Sequence, residues 1–137
     1  LDESWGYQGA GYFSPTARYG SPHGLSSFIR ICHEANIGVI MDWVPGHFVS
    51  DDYALGKFDG TTLYERSDHL EYTDWGTLNA DFSKGITQSF MLSSANFFVK
   101  EFGFDGIRVD AVSNLLFEKG DVGLFVVLLI CSWVCIQ

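Results

Sequence analysis

The chain has 137 residues, enough for one ordinary domain with its own core, and its 47% hydrophobic and 16% aromatic content excludes a disordered polypeptide. Seventeen acidic against eight basic side chains give a net charge of −9, which leaves no basic patch to grip nucleic acid or anionic lipid. Cys32, Cys131 and Cys135 make an odd count without paired metal spacing, so neither a disulfide framework nor a metal site is expected, and a reducing compartment, the cytoplasm, fits best.

The chain opens without Met and without a basic stretch leading into an apolar core, so no signal peptide is expected. Ser4-Trp-Gly-Tyr-Gln-Gly-Ala-Gly-Tyr-Phe-Ser-Pro-Thr16 is dense in glycine and aromatics and predicts a short strand ending in a loop. Its Trp5, Tyr7, Tyr12 and Phe13 favour core packing over the alternative, a wall on which sugar rings stack. From Ser21 a helix is predicted, with Ser21 as N-cap and Pro22 at the first helical position. Leu25, Phe28, Ile29, Cys32 and Ala35 recur along one apolar face, and Asn36 and Gly38 stop the helix. Gly38-Val-Ile-Met-Asp-Trp-Val44 then reads as a parallel strand buried on both faces, with Asp42 in its body and His47 just past its end.

Residues 48–84 lose all periodicity. A connection this long either carries a function or hides small elements of its own, and its acids match no calcium-loop spacing. A second helix is predicted over residues 87–102, with Met91, Ser94, Ala95, Phe98 and Phe102 inward and Gly103 as its stop. It delivers the chain to Gly103-Phe-Asp-Gly-Ile-Arg-Val-Asp-Ala-Val112, where Arg108 and Asp110 stand two apart and leave a strand on the same face. An arginine beside a carboxylate holds it ionised, as a reactive carboxylate requires; a structural ion pair at a strand end has the same signature. The sum is an α/β fold of consecutive β/α units whose strand ends carry Tyr7, Asp42 with His47, and Arg108 with Asp110. The final apolar run, roughly fifteen residues, is below the roughly eighteen of a membrane span; residues 118–137 are expected to be a tail created by truncation or frameshift, with a buried strand or helix as the alternative.

Asp42-Trp-Val-Pro-Gly-His47 and Gly106-Ile-Arg-Val-Asp110 resemble two signature regions of the α-amylase superfamily of glycoside hydrolases and transglycosidases, and the Trp-Val-Pro-Gly insert is similar to that of its glycogen branching enzymes. Trp5-Gly-Tyr-Gln8, Phe58-Asp-Gly-Thr61, Leu63-Tyr-Glu65 and Asp74-Trp-Gly-Thr77 agree, and the resemblance covers about residues 4 to 117. It implies a catalytic (β/α)8 TIM barrel, of which residues 1–117 would hold about strands two to four with their helices. It also implies an α-glucan substrate, glycogen or linear maltodextrin, and no cofactor. Asp110 matches the family's nucleophile and Arg108 the arginine that keeps it ionised. His47 and Tyr7 match residues around the cleaved sugar, and Asp42 a structural acid of the same site.

Retaining glycoside chemistry needs a second carboxyl about 5 to 5.5 Å from the first. The family draws that glutamate from a later strand, and Glu118, eight residues past Asp110, is not expected to replace it. The 137 residues alone are therefore expected to be inactive. A non-catalytic glucan-binding piece and a related amylase-type hydrolase are the alternative readings.

Overall fold

The computed structural model describes residues 5–111. In chain order these contain a 3-10 turn (Ala17–Tyr19), helix α1 (Pro22–Glu34), strands β1 (Ile40–Trp43), β2 (His47–Phe48) and β3 (Leu78–Asn79), helix α2 (Gly85–Phe97) continued by a π-helical turn (Phe98–Phe102), and strand β4 (Gly106–Val109). The predicted tail lies outside the described residues.

Helix α1 begins where its sequence requires. The Ser21 side chain accepts the Gly24 backbone N–H at 3.1 Å, Pro22 occupies the first turn, and Asn36 closes the far end at φ 57°, a left-handed position that asparagine tolerates. Only Ile29 of the predicted apolar face is fully buried; Phe28 and Ile31 remain more than half exposed. Helix α2 buries the predicted Met91, Ser94, Ala95 and, in the following turn, Phe98, and adds Thr87. Gly103 ends that turn at φ 82°, and a Cβ there would sit 3.8 Å from His33 and Ile29 of α1.

Strands β1 and β4 pair in parallel, with Ile40 opposite Gly106, Asp42 opposite Arg108 and Trp43 opposite Val109. Two expectations are corrected here. Residues 5–16 form turns instead of a strand, because Trp5 and Gly6 take φ values of 54° and 89° that no strand accommodates. The parallel sheet of the described residues therefore has two strands, not three, and β1 is not buried on both faces: Ile40 is 67% exposed. The long connection does hide small elements. His47–Phe48 pairs antiparallel with Leu78–Asn79, and isolated bridges join Glu65 to Ala80 and Tyr72 to Leu78.

The core is Tyr12, Trp43, Phe48, Leu78, Ala80, Phe82, Met91 and Ala95, so it draws on the first loop, both small sheets and α2 at once. Ser94 of α2 donates to the Tyr12 carbonyl and ties the helix to that loop. Glu65 is completely buried, its carboxylate accepting the Lys57 and Tyr64 backbone N–H groups at 2.7 and 3.2 Å. On the opposite end of the β1–β4 pair, Asp105 accepts the Val39 N–H at 2.7 Å and pairs with His33 of α1 at 2.8 Å.

Truncating fully buried Met91 to Ala should cost about 2–5 kcal/mol in a denaturant titration. The Asp105 carboxyl is held below the ordinary carboxylate range, first by the Val39 N–H and then by His33. A lowered acid pKa contributes stability above the unfolded value, about 3.9, and loses it as pH falls through the folded value. Stability should therefore drop less steeply below about pH 4 in Asp105→Asn than in the wild type.

Candidate active site

The C-terminal ends of β1 and β4 point the same way, and parallel α/β folds place their chemistry on that rim. Asp42 and Arg108 are register partners, so their side chains rise on one face of the pair, and Arg108 Nη1 donates to Asp42 Oδ2 at 3.0 Å. The other arm of the guanidinium reaches Asp110, Nη2 lying 3.2 Å from Oδ1. The Asp110 backbone N–H donates to the Trp43 carbonyl at 2.9 Å, adding one rung to the ladder and fixing where that carboxylate leaves the strand. Tyr7 arrives from the glycine-rich first loop: its hydroxyl donates to Asp42 Oδ2 at 3.1 Å and lies 3.5 Å from Arg108 Nη1. The Tyr7 hydroxyl and the Asp42 charge, with Asp110 contributing less, hold the Arg108 guanidinium still more firmly in its charged form.

His47 sits where β2 begins, just after Pro45-Gly46, and is buried. Its Nδ1 meets Thr77 Oγ1 at 3.1 Å, and Thr77 in turn contacts Thr73 Oγ1 at 2.6 Å. The exposed Trp75 ring lies 5.6 Å from the imidazole, centre to centre. Behind the turn, the Tyr12 hydroxyl donates to the carbonyls of Val44 and His47 at 2.9 and 3.0 Å, and its burial pushes the phenol pKa upward. Burial also pulls the His47 pKa down, while the negative charge of Asp110 acts in the opposite direction.

Tyr7, Asp42, Arg108 and Asp110 thus form one connected polar network, and His47 stands within the electrostatic reach of its carboxylate end. The aromatic ambiguity of the first loop divides between its members: Tyr12 packs in the core, whereas Trp5 is 91% exposed. Tyr12 and Thr77, which hold the histidine turn, are additions to the sequence reading. Thr77 belongs to a stretch already singled out, yet nothing in its local spacing indicates a partner thirty residues away.

The 1,4-alpha-glucan branching enzyme GlgB of Dechloromonas aromatica is 53% identical over 119 residues, 85% of this chain, and that of Cutibacterium acnes is 56% identical over 116 residues, 83% of it. The chain belongs to the 1,4-alpha-glucan branching enzyme family. It spans 19% and 18% of the lengths of those two relatives, and so corresponds to a segment of the branching enzyme catalytic domain. No family model matches it. Among solved structures, alpha-amylase from Geobacillus thermoleovorans, in complex with acarbose, superposes with a TM-score of 0.67 at 19% identity, over 80% of this chain and 27% of that one. The maltogenic alpha-amylase AmyB from Thermotoga neapolitana gives 0.74 at 21% identity, over 96% and 30%. These likenesses establish the fold, part of a TIM barrel.

Among the described residues of this branching enzyme segment, no group of three or more His, Cys, Asp or Glu side chains is placed to hold a metal ion, and no helix is long and apolar enough to cross a membrane. Followed by NMR, the His47 imidazole should titrate below the ordinary value of about 6.5, and Asp110→Asn should move its midpoint further down, because the one influence that raises it is removed. An upward movement would show that Asp110 does not face the ring.

Proposed function

We propose that this segment supplies the nucleophile side of a branching enzyme's catalytic centre, acting on an α-1,4-linked glucan such as glycogen or maltodextrin. Asp110 attacks the anomeric carbon, the glycosidic oxygen leaves, and a covalent glycosyl-enzyme retains the cleaved segment. The 6-hydroxyl of a second glucan chain then displaces Asp110, which creates an α-1,6 branch and regenerates the carboxylate. The proton given to the leaving oxygen, and later removed from the 6-hydroxyl, is handled by a carboxyl outside these 137 residues, so the segment alone is inactive. A cytoplasmic setting and the absence of any cofactor belong to the same reading.

The observation that carries it is the Arg108 fork between Asp42 and Asp110. A nucleophilic carboxylate must be ionised and aimed, and a guanidinium bonded on both sides does both. Tyr7 occupies the third corner and offers a ring beside the reacting sugar. His47, its Nδ1 engaged with Thr77, keeps Nε2 for a sugar hydroxyl.

The test is an iodine-stain branching assay on the full-length enzyme. Asp110→Asn should lower transfer by at least about a thousandfold with the fold intact. Arg108→Lys retains the charge and loses the fork, so its kcat should fall while glucan affinity changes little. Full branching by Asp110→Asn would remove this reading; so would an unchanged iodine colour with the unsubstituted enzyme, in favour of a binding module, or a fall in colour with a net gain of reducing ends, in favour of a hydrolase.

A further inference from the structure

Thr73-Asp-Trp-Gly-Thr77 closes a turn on itself beside the buried His47. The Thr73 N–H donates to the Thr77 carbonyl at 2.8 Å, and the Gly76 N–H donates to the Thr73 carbonyl at 3.0 Å. Gly76 takes φ 76°, a left-handed value that lets the chain double back. The turn thereby sets two hydroxyls in line with the imidazole: Thr73 Oγ1 lies 2.6 Å from Thr77 Oγ1, which lies 3.1 Å from His47 Nδ1.

The direction of each hydrogen bond in this line is fixed by proton count. A hydroxyl oxygen has two lone pairs and one proton. Thr73 Oγ1 accepts the Trp75 and Thr77 backbone N–H groups at 3.3 and 3.2 Å, which occupies both lone pairs, so its contact with Thr77 Oγ1 uses the Thr73 proton. Thr77 Oγ1 therefore accepts from Thr73. Thr77 is 3% exposed, and among the described residues its hydroxyl has two partners, Thr73 and His47. Its own proton goes to His47 Nδ1, because any other arrangement strands a buried donor. A neutral imidazole that accepts at Nδ1 carries its proton at Nε2.

We propose that Thr73 and Thr77 are positioning residues whose hydroxyls form a one-way relay, holding His47 as the neutral Nε2–H tautomer, so that the ring offers the reacting sugar a hydrogen-bond donor without a positive charge. That the acceptor is a sugar hydroxyl rests on the glucan reading above. Charging the ring would place a proton on Nδ1 against the Thr77 hydroxyl proton, and turning Thr77 away would leave that proton unbonded. Burial disfavours the charge as well. Of the titratable groups around the ring, Tyr12 donates to the His47 carbonyl instead of the imidazole, Asp74 in the turn is exposed, and Asp110 beyond β4 acts by its charge in the opposite direction. Charge and direction are thus divided between two side chains: Arg108 supplies the cation beside Asp110, and His47 supplies an oriented N–H.

The test is NMR of the full-length enzyme labelled with ¹⁵N-histidine, the His47 signals being assigned by their loss in His47→Asn. Nitrogen shifts separate a protonated from an unprotonated ring nitrogen, and above neutral pH the wild type should carry its proton on Nε2. Thr73→Asp exchanges a hydroxyl that donates for a carboxylate that only accepts. Thr77 should then turn its proton toward position 73 and accept from Nδ1, which reverses the tautomer; a merely structural threonine predicts no reversal. Thr77→Val keeps the side-chain shape without the hydroxyl, so both tautomers should appear and branching in the iodine assay should fall about tenfold, with Thr77→Ser restoring the single tautomer and most of the activity. A neutral wild-type ring protonated at Nδ1 overturns the relay, as does an unchanged tautomer in both Thr73→Asp and Thr77→Val. Full branching by a Thr77→Val enzyme of mixed tautomer overturns the donor role toward the sugar. The tautomer is measured without glucan, so the two readings fail separately: branching that survives Asp110→Asn removes the catalytic assignment and leaves the relay standing.

Discussion

One acceptor oxygen organises the rim of this protein. Asp42 Oδ2 receives both the Tyr7 hydroxyl and Arg108 Nη1, and through Arg108 it is coupled to Asp110. The three donors and acceptors come from segments 35 and 66 residues apart in the chain, so the contact exists only if β1 and β4 pair in the observed register. A slip of one residue would send Asp42 and Arg108 to opposite faces and dissolve the network. Because Asp42 and Arg108 are both about half exposed, the pair contributes orientation more than stability.

A second frame supports the first from below. The buried Tyr12 spans the Val44 to His47 turn with one hydroxyl, and Ser94 fixes Tyr12 from α2. Thr77, brought in by the β2–β3 pair, holds the other side of the histidine. The imidazole is thereby positioned by groups that never face the open rim. Such support sets ring orientation, and truncating it displaces the ring without touching any charge.

Sequence reasoning succeeded where a local rule was decisive. The Ser21 cap, the left-handed Asn36 and Gly103, and the inward face of α2 each follow from one residue and its near neighbours. The period of two along Gly106–Val109 places Arg108 and Asp110 together, and strand-end position points to Tyr7, Asp42 and His47, whose roles come from family resemblance alone. It failed where geometry is non-local. Alternating glycines and aromatics in residues 5–16 do not reveal φ, so the pattern predicts a strand where turns form. Two-residue strands such as His47–Phe48 have no period to detect. Nothing around Glu65 announces that two backbone N–H groups will satisfy it in the dark of the core.

The wide separation of β1 from β4 also has a meaning in time. During synthesis, α1 and β1 leave the ribosome about seventy residues before β4 can join them, and loop closure over that span is slow. Through that interval the edge of β1 that β4 will occupy, with Ile40 and Met41, lacks that partner. The Asp42–Arg108 pair, which aligns the carboxylates, can form only once that closure is complete.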